Sequence, residues 1–194
     1  SIKMRRPIFL FSIFLLLCSV PLFSEREYVM GKNDLAFTAG VGSGFFSGAI
    51  DVSGGIEYIV AEHEVGDKLP LSYGIAGKFN YYRYNYQDYT EAYHYTYIGG
   101  GGFGTVHFGI NALDLEKDMQ WLGNFDPYVG LGIGFFNYSN TYDDDLNRTY
   151  DRFQMGLRSI GGVNYFFSPN FAVTLEGGYY GRWGGGLIGV LFKW

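Results

Sequence analysis

His63, His94 and His107 are the only imidazoles in this chain, and a hydroxyl nucleophile working near neutral pH would need one of them as its base. His63 falls in a connecting segment, His94 is followed by Thr96 where a serine partner would be needed, and His107 lies near a strand end. Catalysis is not expected. The glycine run at 99–102 and Gly104 lack a following Lys-Ser or Lys-Thr, so they are not read as a phosphate cradle, and no cofactor is assigned. Asp143, Asp144, Asp145 and Asp151 fall within nine residues and could share a divalent cation with lipopolysaccharide or a host ligand. Their spacing does not match an EF-hand, so a solvated acidic loop is the simpler reading and no metal site is assigned.

Six further charges, Asp51, Glu57, Lys78, Arg158, Glu176 and Lys193, each have a large apolar residue as an immediate neighbour. A period of two explains this, with charge and apolar group on opposite faces of a strand. Ile50, Val52, Ile56 and Tyr58 alternate with Asp51, Ser53, Gly55 and Glu57; Leu71, Tyr73, Ile75, Phe79 and Tyr81 alternate with Ser72, Gly74, Ala76, Lys78 and Asn80. The same alternation runs through Leu35, Phe37, Ala39 and Val41; Val129, Leu131, Ile133 and Phe135; Phe153, Met155 and Leu157; and Phe171, Val173 and Leu175. One face is large and apolar and the other small or polar. A water-soluble barrel turns its large apolar face inward, whereas a membrane barrel turns it to lipid.

Eight such strands of about 10 residues fit the chain. The fourth, at 93–110, is predicted to carry a bulge or a change of face at Gly99, Gly100, Gly101 and Gly102. Leu113, Leu115, Met119 and Leu122 suggest a short interfacial helix in the connection at 112–126. Tyr82, Tyr84, Tyr86, Tyr89, Tyr93, Tyr95 and Tyr97 crowd one hairpin. They read first as a membrane-interface belt and second as an adhesive contact surface.

Composition agrees with a barrel. Thirty Gly, 18 Tyr and 18 Phe in 194 residues suit tight curvature and aromatic girdles, not a bundle of apolar helices. Lys3, Arg5 and Arg6 before an apolar run at 8–17, then Ser24, fit a secretory signal peptide over residues 1–24, with the barrel domain at 25–194. Loss of that leader moves the formal charge from −5 to about −8 and removes Cys18, the single cysteine. The acidic balance excludes nucleic acid as a partner. The chain ends on Ile188, Val190, Phe192 and Trp194, an alternating set with a final aromatic, which reads as a signal to the barrel assembly machinery.

The segment Asp126, Pro127, Tyr128, Val129, Gly130, Leu131, Gly132, Ile133 and Gly134, with the Trp194 ending, resembles the small outer-membrane barrels of the OmpW, OmpX, opacity-protein and OmpA membrane-domain type. That resemblance implies an all-β fold, an eight-stranded antiparallel up-and-down transmembrane barrel in the bacterial outer membrane. Both termini would be periplasmic and the loops surface-exposed, with outer-membrane lipid as surroundings.

On this reading the six charges point into the lumen and pair with one another, Arg158 and Glu176 being the leading pair, to form either a plug or a gate. The expected function is a narrow or gated channel for small solutes, hydrophobic ones included, in the OmpW manner. The alternative is an opacity-like adhesin or envelope-binding protein contacting host surface ligands, or a purely structural barrel. Eight strands are too few for a general porin.

Overall fold

Strict alternation over long stretches leaves the backbone one economical arrangement, in which each strand pairs with its sequence neighbour and the large side chains share one face. A computed structural model of the chain describes residues 29–66, 69–87, 92–110, 113, 115–142, 149–178 and 185–194. Eight antiparallel strands follow one another: β1 (Leu35–Gly42), β2 (Ile50–Val65), β3 (Leu69–Gln87), β4 (Ala92–Phe108), β5 (Phe125–Tyr142), β6 (Thr149–Ser168), β7 (Phe171–Gly178) and β8 (Gly185–Lys193). Each pairs with the next, and β1 also pairs with β8 from Ala36↔Lys193 to Gly42↔Leu187, which closes the sheet into a barrel. Closure leaves no edge along the paired part of β1 and β8.

The two faces separate as the alternation requires. Leu131 is 73% exposed and Leu157 84%, and Ile75, Phe79, Ile133, Met155 and Leu175 join them on the outside. Asp51, Glu57, Lys78, Thr105, Asp126, Glu176 and Lys193 are buried inside. At the end that carries both described termini, Trp194 meets Phe37 and Phe192 edge-on, with ring centroids 6.3 Å and 5.4 Å away.

Strand length departs from the uniform 10 residues expected. β1, β7 and β8 have 8 or 9 residues, whereas β3, β4, β5 and β6 have 17 to 20. At about 3.4 Å per residue, the longest outrun the shortest by about 35–40 Å of chain. Because β7 pairs with β6 only up to Ile160↔Gly178, the far parts of β3, β4, β5 and β6 continue as a four-stranded extension at the end opposite the termini.

The bulge expected at Gly99, Gly100, Gly101 and Gly102 is absent. Pairing of β3 with β4 runs without a shift from Leu71↔Phe108 to Gln87↔Ala92, and that of β4 with β5 from Tyr93↔Tyr142 to His107↔Tyr128. Glycine hides the phase from the sequence pattern without changing it: Ile98 faces out, and Phe103, Thr105 and His107 face in. The shifts fall instead between Ile59 and Ala61 and between Phe166 and Ser168, near the terminus end. The expected interfacial helix is a five-residue 3-10 turn, Gln120–Asn124.

Candidate functional site

Inward-facing positions of the strands build two regions, a packed polar interior near the termini and an aromatic trough on the extension. In the interior, β4 supplies His107, whose ring is 1% exposed. Its Nδ1 lies 3.0 Å from both carboxylate oxygens of Asp126 on β5, and its Nε2 lies 3.0 Å from Glu57 Oε1 on β2. The Thr105 hydroxyl donates to the same Glu57 oxygen, and Asn164 Nδ2 donates to Asp126 Oδ2 at 2.8 Å. The imidazole therefore bridges two carboxylates, and hydrogen bonds hold both of those in turn.

One layer further along, Lys78 Nζ donates to Glu176 Oε2 at 2.9 Å, with side-chain exposures of 6% and 1%. The Tyr128 hydroxyl donates to that same oxygen, while its ring stacks on His107 at 5.1 Å. Phe103, Ala76 and Ile160 pack around Tyr128 and fill the barrel at this level. Interior glycines make this packing fit. A Cβ at Gly74 would lie 2.5 Å from Thr105 Oγ1 and 2.8 Å from Glu57 Oε1, and one at Gly162 would lie 2.9 Å from the Tyr128 hydroxyl.

The terminus end is stoppered separately. Met30 packs with Ala36, Ile59, Phe166, Ala172 and Leu191, and Lys193 Nζ reaches Asp34 Oδ2 at 2.8 Å and the Val29 carbonyl. Nearer the extension, Asp51 accepts from Asn80 Nδ2 at 3.2 Å and from the Gly44 amide at 2.8 Å.

The six charges proposed from sequence thus divide. Asp51, Glu57, Lys78, Glu176 and Lys193 are buried but belong to four separate clusters, and Arg158 is half-buried with its guanidinium 5.5 Å over the Phe136 ring. The expected Arg158–Glu176 pair is replaced by Lys78–Glu176. Register explains why: Glu176 sits opposite Gly162, four residues along β6 from Arg158. The interior network also takes in His107, Asp126, Tyr128, Thr105 and Asp34, which the sequence pattern did not assign to it. The signal for His107 was its shared parity with Phe103 and Thr105, obscured by the preceding glycines.

On the extension, the tyrosines expected at a lipid interface share the parity of the inner face. Tyr82 packs edge-on against Tyr95 at 5.8 Å, Tyr95 against Tyr138 at 4.7 Å, and Tyr97 stacks on Phe136 at 5.4 Å. Beside them lies a cleft of about 350 Å³ that also involves Tyr150, Arg152 and Gln154. Of the acidic loop, Asp151 lines this cleft, whereas Asp143, Asp144 and Asp145 lie outside the described residues, as do residues 1–24 and Tyr89. Among the described residues, no cluster of His, Cys, Asp and Glu is arranged to hold a metal ion. His63 and His94 are exposed, His94 Nδ1 lying 2.9 Å from Asn85 Oδ1.

This arrangement defines an eight-stranded barrel with a filled interior and an aromatic extension. No protein-family model matches the chain, and no curated protein matches it significantly. Among solved structures, Ail, the attachment invasion locus protein of Yersinia pestis, is similar at 13% identity and a TM-score of 0.53, over 84% of this chain and 99% of Ail. Ail in complex with the heparin analogue sucrose octasulfate gives a TM-score of 0.52 at the same identity and coverage. The N-terminal β-barrel domain of Pseudomonas aeruginosa OprF has 18% identity over 84% of this chain and 99% of that domain, with a TM-score of 0.47. At these identities the likeness is one of fold.

Proposed function

We propose that the chain is an outer-membrane β-barrel that does not conduct solutes and instead presents its four-stranded extension for attachment to external surfaces or envelope components. The observation that carries this is the filled interior. The Met30 cluster closes the terminus end, and the layer of Phe103, Tyr128 and Ile160 with the Lys78–Glu176 pair closes the barrel further up. Buried, mutually compensated ion pairs suit a rigid anchor better than a narrow solute path.

The membrane address rests on the outer face. An apolar band including Ile75, Leu131, Ile133, Met155, Leu157 and Leu175 exceeds what a water-soluble monomer exposes. Aromatic rings beside Trp194 fit an interfacial girdle at the terminus end. An even strand number puts both termini on one side, which on this reading is the periplasmic one, with the extension outside. Ail supports the choice of attachment over conduction, because a barrel of this fold is described there as an attachment protein. The reading is non-catalytic: both His107 nitrogens face carboxylates in the interior, away from an approaching substrate.

The test uses the full chain expressed in a Gram-negative host and purified from its outer membrane. In planar bilayers the folded barrel is expected to give no discrete conductance steps, and cells displaying it are expected to adhere above an empty-vector control. Stepwise conductance together with control-level adhesion would overturn the reading in favour of a narrow channel.

A further inference from the structure

The trough on the extension has a composition that lipid contact does not explain, because its rings face the inner side of the sheet. Tyr95, Tyr97, Phe136 and Tyr138 line the 350 Å³ cleft together with Arg152 and Gln154. With the Gln154 amide oxygen turned toward it, Arg152 is held by two hydrogen bonds of 2.7 Å, from its Nε and one terminal nitrogen. On β5, Asn140 pairs in register with Tyr95 on β4 and Tyr150 on β6. Asn140 is 9% exposed, and its Oδ1 accepts no hydrogen bond among the described residues. The polar side chains that the cleft itself presents are Arg152, Gln154 and Asp151.

We propose that this cleft is a saccharide site that takes a neutral, disaccharide-sized segment. The proposal deepens the attachment reading and rests on it for the side of the membrane to which the cleft opens. A sugar ring has an apolar C–H face and a rim of hydroxyls. Tyrosine matches it with a flat apolar body and a polar tip, at little conformational cost. A volume of about 350 Å³ lies at the lower end of small-ligand sites and accommodates about two pyranose rings. An acyl chain would set hydrocarbon against the Arg152 guanidinium and the Gln154 amide. A polyanion would meet the Asp151 carboxylate in the cleft, on a chain of net charge −5. The ligand is therefore uncharged and hydroxyl-rich.

The full-chain barrel in nanodiscs, with folding checked by heat-modifiable gel migration, is titrated with lactose, maltose, N-acetyllactosamine and N,N′-diacetylchitobiose, and with sucrose octasulfate as the anionic control. At least one neutral disaccharide is expected to bind in the millimolar range or tighter, and more tightly than the sulfated sugar. Tyr138→Ala is expected to weaken that binding about tenfold, and Tyr138→Phe by less than about threefold. Gln154→Leu, which removes a polar lining group and keeps the bulk, is expected to weaken it several-fold. A neutral fragment of O-polysaccharide binding above the free disaccharides identifies the cell's own envelope as the source; the reverse order identifies external glycans.

Absence of neutral-sugar binding to the folded barrel, binding indifferent to Tyr138→Ala, or preference for the sulfated sugar would each overturn the site. Adhesion that persists without sugar binding removes the saccharide site and leaves attachment standing. Sugar binding without adhesion by the displaying cells removes attachment and leaves the site.

Discussion

The terminus end of the barrel and the extension are built on the same face of the same strands, yet their chemistry is opposite. Along β4 the inner positions read Tyr95, Tyr97, Gly99, Gly101, Phe103, Thr105 and His107; along β5 they read Asp126, Tyr128, Gly130, Gly132, Gly134, Phe136, Tyr138 and Asn140. Ionisable groups occupy one end, glycines the middle and phenyl or phenol rings the other end. Where the barrel is closed and the strands surround each group, an ionised side chain must find a partner, and His107, Glu57 and Asp126 do so within 3.0 Å. Beyond the described reach of β7, whose pairing with β6 runs to Ile160↔Gly178, rings packed edge-on line the inner face of the extension. Unbroken register therefore carries one geometric pattern across two environments, and side-chain choice alone converts a stopper into a surface.

The largest effect that would break this comparison belongs to the buried pair. Glu176→Ala leaves the Lys78 ammonium without its partner in the interior and is expected to lower barrel stability by about 3–5 kcal/mol, measured by urea unfolding of the barrel in micelles. Replacing both residues, Lys78→Met with Glu176→Leu, is expected to recover most of that loss, because neither charge then needs a partner. Failure of the double variant to recover would mean that shape rather than charge compensation holds this layer.

The outer face gives the next effect. Leu131→Arg at a 73% exposed position would shift the stability of a water-soluble protein by less than about 0.5 kcal/mol. Facing lipid at mid-depth, it is expected to cost about 2–4 kcal/mol in bilayers. Unfolding titrations in lipid vesicles separate the two values, and a neutral result would remove the membrane-facing assignment of the band.

Much of the barrel was readable beforehand because alternation is a local property. The inner parity of Asp51, Glu57, Lys78 and Glu176 follows from their apolar neighbours, and the structure buries all four. Pairing is not local. Arg158 and Glu176 lie on adjacent strands, but their alignment depends on where the β6–β7 hairpin turns, and the Ser168↔Phe171 closure with the shift between Phe166 and Ser168 puts Gly162 opposite Glu176. Lys78 reaches Glu176 from β3 across the closed interior, a contact that only the curvature of the whole sheet creates. The aromatic trough stayed hidden for a related reason. A tyrosine-rich hairpin reads as an interface belt until strand lengths show that it stands beyond its short neighbours.

Interior glycines sharpen the comparison further. Gly162→Val would push a Cβ to 2.9 Å from the Tyr128 hydroxyl and 2.5 Å from the Leu175 carbonyl oxygen. Overpacking of this kind is expected to destabilise by about 1–3 kcal/mol, read from the same urea titration. Gly156→Ala on the extension side meets nothing within 4 Å and is expected to be nearly silent. Equal effects at the two positions would show that the middle glycines serve sheet curvature and not side-chain room.

The smallest effect tests whether the extension is energetically separate from the barrel below it. Tyr95 touches Tyr82 at 5.8 Å and Tyr138 at 4.7 Å, and such ring pairs contribute about 0.5–1.5 kcal/mol each beyond area burial. Tyr95→Ala removes both contacts, but the strands beneath keep their ladder, the His107 bridge and the Met30 cluster. Global unfolding is therefore expected to move by about 1 kcal/mol or less, while amide exchange in the β3–β4 hairpin accelerates several-fold, because local opening draws only on contacts above the barrel. A global loss equal to that of Glu176→Ala would mean that rings and ion pairs form one cooperative unit. In that case the trough could not adapt to a ligand without loosening its own anchor.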